Sequence, residues 1–243
     1  MIRSRLAHEF VLAPSIEPRR NGRKPDMLLL HYTGMASAAA AREVLCSVQS
    51  GVSCHYLVDE AGLITQMVGE EMRAWHAGAS VWQGETDTNS RSIGIEIQNP
   101  GHNIGYRDFP RVQMQAVAAL CRDILSRHDI APRLVLAHSD IAPGRKVDPG
   151  ERFDWGWLNQ RGIGHWVEPS EADASTLNSD ELAELQQLLQ TYGYGITLTG
   201  AHDELTRRVL DAFQRHFRPA KVNGWADRCC LVTARRLAEG LSG

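Results

Sequence analysis

The chain has 243 residues, of which 43% are hydrophobic, so it is long enough to bury one large core or two smaller ones. Its net charge of −3 gives no reason to expect nucleic acid as the main partner. No segment approaches the run of about 18 apolar residues that a transmembrane helix requires. The five cysteines form no CxxC pair, which predicts buried thiols rather than a disulfide framework or a zinc knuckle.

Strand and helix patterns alternate in the first half of the chain. Residues 26–32 are an apolar run typical of a buried strand, and residues 37–48 follow with an alanine-rich helical pattern. Residues 52–58 and 63–68 are strand-like and are joined by Asp-Glu-Ala-Gly, which predicts a hairpin. Residues 92–97 form a further β-branched strand. The residues around Trp75 and His76 are predicted to lie in a loop.

An amphipathic helix at residues 110–128 precedes another apolar run at residues 134–136. Strands interleaved with helices, together with an antiparallel hairpin, predict an α/β fold with a mixed central β-sheet flanked by helices. The last strand leads into a Pro/Gly-containing loop that carries His138, Lys146 and Asp148. Because loops after strand ends often carry the chemistry of α/β proteins, this segment is the first candidate for a functional site.

Two histidines, His31 and His138, each end an apolar strand, where their side chains can point into a shared cleft. Two imidazoles and one carboxylate are a ligand set of catalytic zinc, which keeps a further position for water. Either Asp140 or Asp148 could supply the carboxylate, and the spacing leaves both open.

A hydrolase of this kind also needs a proton acceptor that is not itself a metal ligand. Glu96 is the candidate, because a carboxylate in an otherwise apolar strand is costly unless the site uses it. Lys146 could stabilise the oxyanion of a tetrahedral intermediate. The competing interpretations are an outward-facing Glu96 on an amphipathic strand and a solvated Lys146 in a surface loop.

The composition changes after Trp166, where an acidic segment with few apolar residues predicts a linker. Three helical patterns follow, which predict a small bundle. They begin at Asn178, Asp203 and Asp227. The predicted organisation is a catalytic domain at residues 1–167, a linker at residues 168–177 and a three-helix domain at residues 178–243.

Five sequence blocks occur in an order that identifies a family. They are LHYTG (30–34), SCHYLV (53–58), AWHAG (74–78), SIGIEI (92–97) and HSDIAPGRKVDP (138–149). In these blocks the chain resembles the type 2 N-acetylmuramoyl-L-alanine amidases, and within them the AmiD branch, over about residues 10–166. That family shares its fold with the peptidoglycan recognition proteins. The C-terminal bundle resembles the three-helix peptidoglycan-binding module, through the Tyr-Gly-Tyr at 192–194 and the segment 212–219.

The resemblance implies a role for each matching position. The family's zinc ligands fall on His31, His138 and Asp148, which favours Asp148 over Asp140. Its catalytic residues fall on Glu96 and Lys146, and substrate-binding positions fall on His55, Trp75, His76 and Asn89. The implied reaction is hydrolysis of the amide that joins the lactyl group of N-acetylmuramic acid to L-alanine of the stem peptide. The expected cofactor is one zinc ion, and the expected partner is peptidoglycan or a muropeptide.

Two other functions fit parts of the pattern. A non-catalytic recognition protein of the same fold would bind muropeptides without cutting them, and a zinc peptidase would cut within the stem peptide. The compartment is open as well. The first ten residues lack the apolar core of a signal peptide, which favours the cytoplasm, whereas a wall-binding module favours the cell envelope.

Overall fold

A computed structural model describes residues 2–170 and 174–240. Residues 171–173 of the predicted linker therefore lie outside the described residues, as do Met1 and residues 241–243. Nine α-helices and eight β-strands are present in the described ranges. The strands are β1 (Glu9–Phe10), β2 (Ile16–Pro18), β3 (Met27–Tyr32), β4 (Tyr56–Val58), β5 (Ile64–Gln66), β6 (Met72–Ala74), β7 (Ser92–Ile97) and β8 (Val135–Ala137).

Six strands form one mixed sheet in the order β1-β5-β4-β7-β3-β8, and β2 pairs with β6 in a small antiparallel sheet. The strands β4, β7, β3 and β8 run parallel, while β5 runs antiparallel to β4 as the predicted hairpin requires. In β3 the residues Met27 to Leu30 are fully buried, since a parallel strand inside a sheet is covered on both faces.

The helices are α1 (Ala38–Leu45), α2 (Thr88–Arg91), α3 (Gly101–Ile104), α4 (Arg111–Leu125), α5 (His138–Ile141), α6 (Trp155–Asn159), α7 (Ser179–Tyr192), α8 (Glu204–Phe217) and α9 (Arg228–Glu239). In α4 the apolar stripe that includes Val117, Leu120 and Ile124 is buried in the core. The Ser37 hydroxyl caps α1 by accepting from the Ala40 amide. No helix in the described part of the chain is long and apolar enough to cross a bilayer.

The predicted mixed sheet and the helical C-terminal region are confirmed. Asn178, Asp203 and Asp227 cap α7, α8 and α9 as their sequence positions predict. Two local details differ from the prediction. Part of the predicted loop around Trp75 is strand β6, and the segment after β8 starts as the short helix α5 before it becomes a loop.

The C-terminal helices pack directly on the sheet domain. One continuous apolar cluster contains β3 and β8 residues together with residues of α7, α8 and α9. The buried Trp82 contacts the rings of Tyr192 and Tyr194 edge-on, with centroid distances of 6.1 and 4.9 Å. The three-helix unit is therefore docked on the rest of the chain over a buried interface.

Candidate active site

Three neighbouring parallel strands bring the predicted site residues to one edge of the sheet. His31 in β3 pairs in register with Glu96 in β7. On the other side of β3, Ala137 at the end of β8 pairs with Leu30, and His138 is the next residue. Side chains at paired positions of parallel strands point to the same face. His31, Glu96 and His138 therefore meet where the strands end, as is usual for α/β sites.

Three buried donor atoms converge at this edge. His31 Nδ1 lies 2.9 Å from His138 Nδ1, and Asp148 Oδ2 lies 3.2 Å from the first nitrogen and 3.0 Å from the second. The loop that carries Asp148 returns to α5 because the Ser139 amide donates to the Asp148 carbonyl over 3.0 Å. Two imidazoles and a carboxylate this close together form a group that could hold a metal ion.

Asp140, the other aspartate that the spacing left open, faces away from this group. Its Oδ1 accepts from the hydroxyl of Tyr194 at 2.6 Å, and its Oδ2 accepts from His216 Nδ1 at 2.7 Å. The backbone amide of Ala137 donates to Oδ2 as well, over 2.8 Å. Both carboxylate oxygens of Asp140 are therefore occupied by protein donors.

Contacts behind the group favour one tautomer of His138. Its Nε2 lies 3.0 Å from the carbonyl oxygen of Ala77, which can only accept, and 3.3 Å from the guanidinium of Arg145, which can only donate. The shorter contact favours a proton on Nε2, so that Nδ1 presents a lone pair towards His31 and Asp148. A histidine that binds a metal through one nitrogen usually donates from the other in this way.

His31 is oriented by a longer chain of donors and acceptors. The Ser92 hydroxyl donates to the Thr88 carbonyl at 2.6 Å, so its oxygen accepts from His76 Nε2 at 3.3 Å. His76 Nδ1 is then an acceptor, and it lies 3.0 Å from His31 Nε2. His31 consequently donates from Nε2, and its Nδ1 also presents a lone pair.

The electrostatic surroundings favour the charge states that a metal needs. Burial, then the neighbouring His138, lowers the pKa of His31 to about 4, which keeps its imidazole neutral. Burial alone would raise the pKa of Asp148, but the adjacent imidazoles of His138 and then His31 outweigh burial and hold that pKa well below its usual range. The group therefore offers the neutral imidazole of His31 and the carboxylate of Asp148 beside the His138 ring.

Glu96 and Lys146 line the same cleft, which has a volume of about 400 Å³. Glu96 Oε2 is buried and has no hydrogen-bond partner among the described residues. Burial, then the negative charge of Asp148, raises the pKa of the Glu96 carboxyl well above its usual range, while Lys146 lowers it. Over residues 2–170 and 174–240 the Lys146 ammonium makes neither a hydrogen bond nor an ion pair. A carboxyl group and an ammonium group are thus both available to a bound molecule.

The four predicted substrate-binding residues are distributed differently. Trp75 lies in the wall of the cleft with 37% of its surface exposed, and His76 lines the cleft from a buried position. His55 is fully buried and accepts from the Gly94 amide at 3.0 Å. Asn89 Oδ1 accepts from the amides of His76 (3.1 Å) and Ala77 (2.9 Å), so it anchors the loop behind the metal-site histidines.

Gly94 makes the position of His76 possible. A Cβ atom on this glycine would lie 2.6 Å from His76 Nδ1 and 2.8 Å from the sulfur of Cys54. The absence of a side chain at residue 94 therefore lets the imidazole reach His31.

Sequence reasoning missed two residues of the site. Ser92 ends the hydrogen-bond chain behind His31, and nothing in its local pattern distinguishes it from any strand serine. Arg145 lies at the cleft, where its guanidinium donates to the carbonyls of Ala77 (2.5 Å) and Ala79 (2.8 Å). Its position beside Lys146 was the only available signal.

Comparison with known proteins finds a family match for each of the two parts of the chain. The model of the N-acetylmuramoyl-L-alanine amidase family matches residues 21–151, and a peptidoglycan binding domain model matches residues 178–231. The N-acetylmuramoyl-L-alanine amidase AmiD of Escherichia coli (strain K12) is 38% identical over 230 residues, which cover 88% of this chain and 82% of that protein.

Solved structures agree over nearly the whole chain. The complex of AmiD from E. coli with the substrate anhydro-N-acetylmuramic acid-L-Ala-D-gamma-Glu-L-Lys has a TM-score of 0.80 at 36% identity and covers 92% of each chain. AmpDh3 from Pseudomonas aeruginosa in complex with anhydromuramic pentapeptide has a TM-score of 0.77 at 32% identity, covering 93% of this chain and 95% of that chain. The predicted family and reaction class are thereby confirmed, and the chain belongs to the N-acetylmuramoyl-L-alanine amidases.

Proposed function

We propose that this amidase works with one zinc ion held by His31 Nδ1, His138 Nδ1 and the carboxylate of Asp148. The observation that carries the proposal is the triangle of donor atoms, whose sides measure 2.9, 3.2 and 3.0 Å. Tetrahedral zinc with bonds of about 2.0–2.1 Å separates its ligands by about 3.3 Å. Widening the two shorter sides by a few tenths of an ångström, and the third by about one tenth, would be enough to admit the ion.

The residues around this triangle then have distinct tasks. When bound, zinc supplies a Lewis acid for the amide carbonyl and lowers the pKa of water. Glu96 accepts a proton from the attacking water and returns it to the leaving nitrogen of L-alanine. The raised pKa of Glu96 suits both steps, because it makes the carboxylate a stronger base and lowers the cost of its protonated form.

Lys146 has the complementary task on the carbonyl side. Attack of water on the lactyl amide turns the carbonyl oxygen into an oxyanion, and a nearby ammonium lowers the energy of that charge. Lys146 fits this task because it lines the cleft with Glu96 and has no protein partner in the described ranges. Collapse of the intermediate breaks the carbon–nitrogen bond and leaves a lactyl carboxylate and a free L-alanine amino group.

The proposed substrates are muropeptides of the kind that AmiD and AmpDh3 hold in their complexes, an anhydro-N-acetylmuramic acid linked to a stem peptide. Trp75 is the proposed contact among the four predicted binding residues, because its half-exposed ring forms part of the cleft wall. We propose supporting roles for His55, His76 and Asn89, whose polar atoms are engaged with the protein.

The division into a catalytic part (1–167), a connecting segment (168–177) and a peptidoglycan-binding part (178–243) is also kept as a proposal. The limits of the two family matches, 21–151 and 178–231, support it. A wall-binding part would raise the local concentration of substrate at the catalytic cleft.

Product analysis tests the proposed function. The protein is incubated with an anhydro-muramyl tripeptide, with a chelator in a parallel sample, and with zinc restored after chelation. We expect a free tripeptide that begins with L-alanine and an intact anhydro-N-acetylmuramic acid, with loss of activity on chelation and recovery with zinc. Fragments cut within the peptide would support a peptidase instead, and uncut substrate that still binds would support a recognition protein.

A further inference from the structure

Asp140 is a fully buried carboxylate whose side-chain partners come from the C-terminal unit of the chain. Its two strongest side-chain partners, Tyr194 and His216, lie 54 and 76 residues further along the chain. All three side chains are at most 2% exposed. A buried carboxylate needs such partners because it has lost its hydration. The interface between the two parts of the chain thus contains a closed polar contact.

This contact lies directly behind a residue of the metal group. Asp140 follows His138 by two residues in the same helical turn, α5. Its carboxylate also accepts from the amide of Ala137, the residue before His138. The Asp140 side chain therefore bridges the backbone before His138 to the helical turn that contains it, which couples the position of the carboxylate to the start of α5.

We propose that Tyr194 and His216 are positioning residues for His138, so that the C-terminal helical unit is a structural part of the metal site. The proposal rests on the zinc site of the proposed function and adds a role for the unit beyond binding the wall. Tyr194 fixes Oδ1 and His216 fixes Oδ2, which leaves the carboxylate little freedom to rotate. The aromatic rings on either side of His216 hold it in turn, with centroids at 3.8 Å (Trp155) and 3.9 Å (Phe217).

A second set of contacts ties the same units together. The amide of Gln83 donates to the Gly193 carbonyl, and the amide of Val81 donates to the carbonyl of Ile141 in α5, both at 2.8 Å. Cβ atoms on Gly193 and Gly195 would lie 2.4 Å from Trp82 and Val81 respectively. Residues 81–83 therefore connect the turn that carries Tyr194 to the end of α5, and the fit is too close for a methyl group.

Single substitutions in the full chain test the proposal. Tyr194→Phe removes only the hydroxyl, and His216→Phe keeps the stacked ring but removes the donor. His216→Asn keeps a donor near the position of Nδ1 and serves as the conservative rescue. Tyr192→Phe is the matched control, because its hydroxyl bonds to His165 at 3.1 Å and does not touch Asp140.

Metal binding, rather than activity, is the readout. Zinc affinity is measured by competition with a chromophoric chelator, and the visible spectrum of the cobalt(II)-loaded protein reports the ligand geometry. We expect Tyr194→Phe and His216→Phe each to weaken zinc binding by about tenfold, in the range for residues that orient metal ligands, and to change the cobalt spectrum. Tyr192→Phe should match the wild type in both measurements, and His216→Asn, which keeps a donor but loses the stacked ring, should recover most of the zinc affinity that His216→Phe loses.

Thermal unfolding is measured for each variant with and without zinc, so that a variant with lower stability can still be compared with the wild type by its zinc-induced change in Tm. A positioning role predicts that zinc raises the Tm of Tyr194→Phe less than it raises that of the wild type. The inference is overturned if zinc shifts the Tm of Tyr194→Phe and of the wild type equally. It is also overturned if both phenylalanine variants match the wild type in zinc affinity and cobalt spectrum. Either result leaves the proposed function intact. A wild-type protein that binds no zinc would instead overturn the metal site itself.

Discussion

Replacing His76 with leucine tests the hydrogen-bond chain behind the metal group. Leucine fills a similar volume but cannot accept the proton that His31 Nε2 donates over 3.0 Å. His76 is neutral in the folded protein, because burial, and then the charges of His31 and His55, lower its pKa well below the usual range. The substitution therefore removes a neutral acceptor and leaves the net charge of the site unchanged.

The size of the effect follows from the buried donor that remains. His31 is 1% exposed, so an Nε2 proton without an acceptor costs about 1–3 kcal/mol. The ring escapes that cost by moving the proton to Nδ1, the nitrogen that faces the metal. The proton would then have to return to Nε2, where it has no acceptor, before Nδ1 could bind zinc, so the zinc affinity should fall by about 10- to 100-fold.

The assay is competition for zinc against a chelator of known affinity, with the zinc-free protein checked for folding by circular dichroism. His76→Asn is the matched variant, since its amide oxygen can accept near the position of Nδ1 and should recover most of the affinity. A His76→Leu protein that binds zinc as tightly as the wild type would refute the reasoning about the tautomer of His31.

Three further predictions concern separate features. Lys146→Met should lower kcat by about 10²–10³-fold with full zinc content, and Lys146→Arg should lower it less. Steady-state kinetics on a muramyl tripeptide measure this, and an unchanged kcat in Lys146→Met would contradict the role of Lys146. Gly94→Ala should destabilise the fold by about 1–3 kcal/mol in urea unfolding, since its Cβ collides with His76; unchanged stability would contradict the close packing. For Glu70, burial raises the pKa but hydrogen bonds from His128 and Arg127 dominate and lower it to about 2. Because this pKa lies below the unfolded value of about 4.3, the ionised Glu70 stabilises the fold above pH 4.3, and that stabilisation is lost as the pH falls towards 2. Glu70→Gln should therefore remove up to about 3 kcal/mol of stability at pH 6, and its stability should decline less than that of the wild type between pH 4 and 2. Urea titrations at several pH values measure the free energy of unfolding of both proteins, and the same decline in both would contradict this role of Glu70.

The sheet and the position of the site were predictable because the signals are local. The run at residues 26–32 is apolar up to His31, which predicts a buried strand with a polar side chain at its end. The runs that end near Glu96 and His138 have the same form. Since parallel strands end at one edge, three such runs place their last residues together.

The choice between Asp140 and Asp148 was not predictable from the residues alone. Both follow His138 within 10 residues, and only the family resemblance separated them. What decides the orientation of Asp140 in the structure is its pairing with Tyr194 and His216, more than 50 residues away. Local spacing carries no signal of such long-range partners.

The roles of His55 and Asn89 illustrate a similar limit. Both lie in sequence blocks or segments close to the cleft, yet their polar atoms hold backbone amides of Gly94, His76 and Ala77. A motif gives the residue type and its element, but the direction of the side chain depends on packing that the motif does not encode. The strands β2 (Ile-Glu-Pro) and β6 (Met-Arg-Ala) escaped prediction because neither is part of an apolar run, unlike the equally short β4 and β8.

The central claim is that Glu96 transfers protons beside a zinc ion held by His31, His138 and Asp148. A Glu96→Gln variant tests it most directly, through zinc content and single-turnover cleavage of an anhydro-muramyl tripeptide measured on the same sample. We expect one bound zinc per chain and a rate of cleavage lowered by at least about 10²-fold, because glutamine cannot accept the proton of water. Cleavage at the wild-type rate with zinc bound would contradict it.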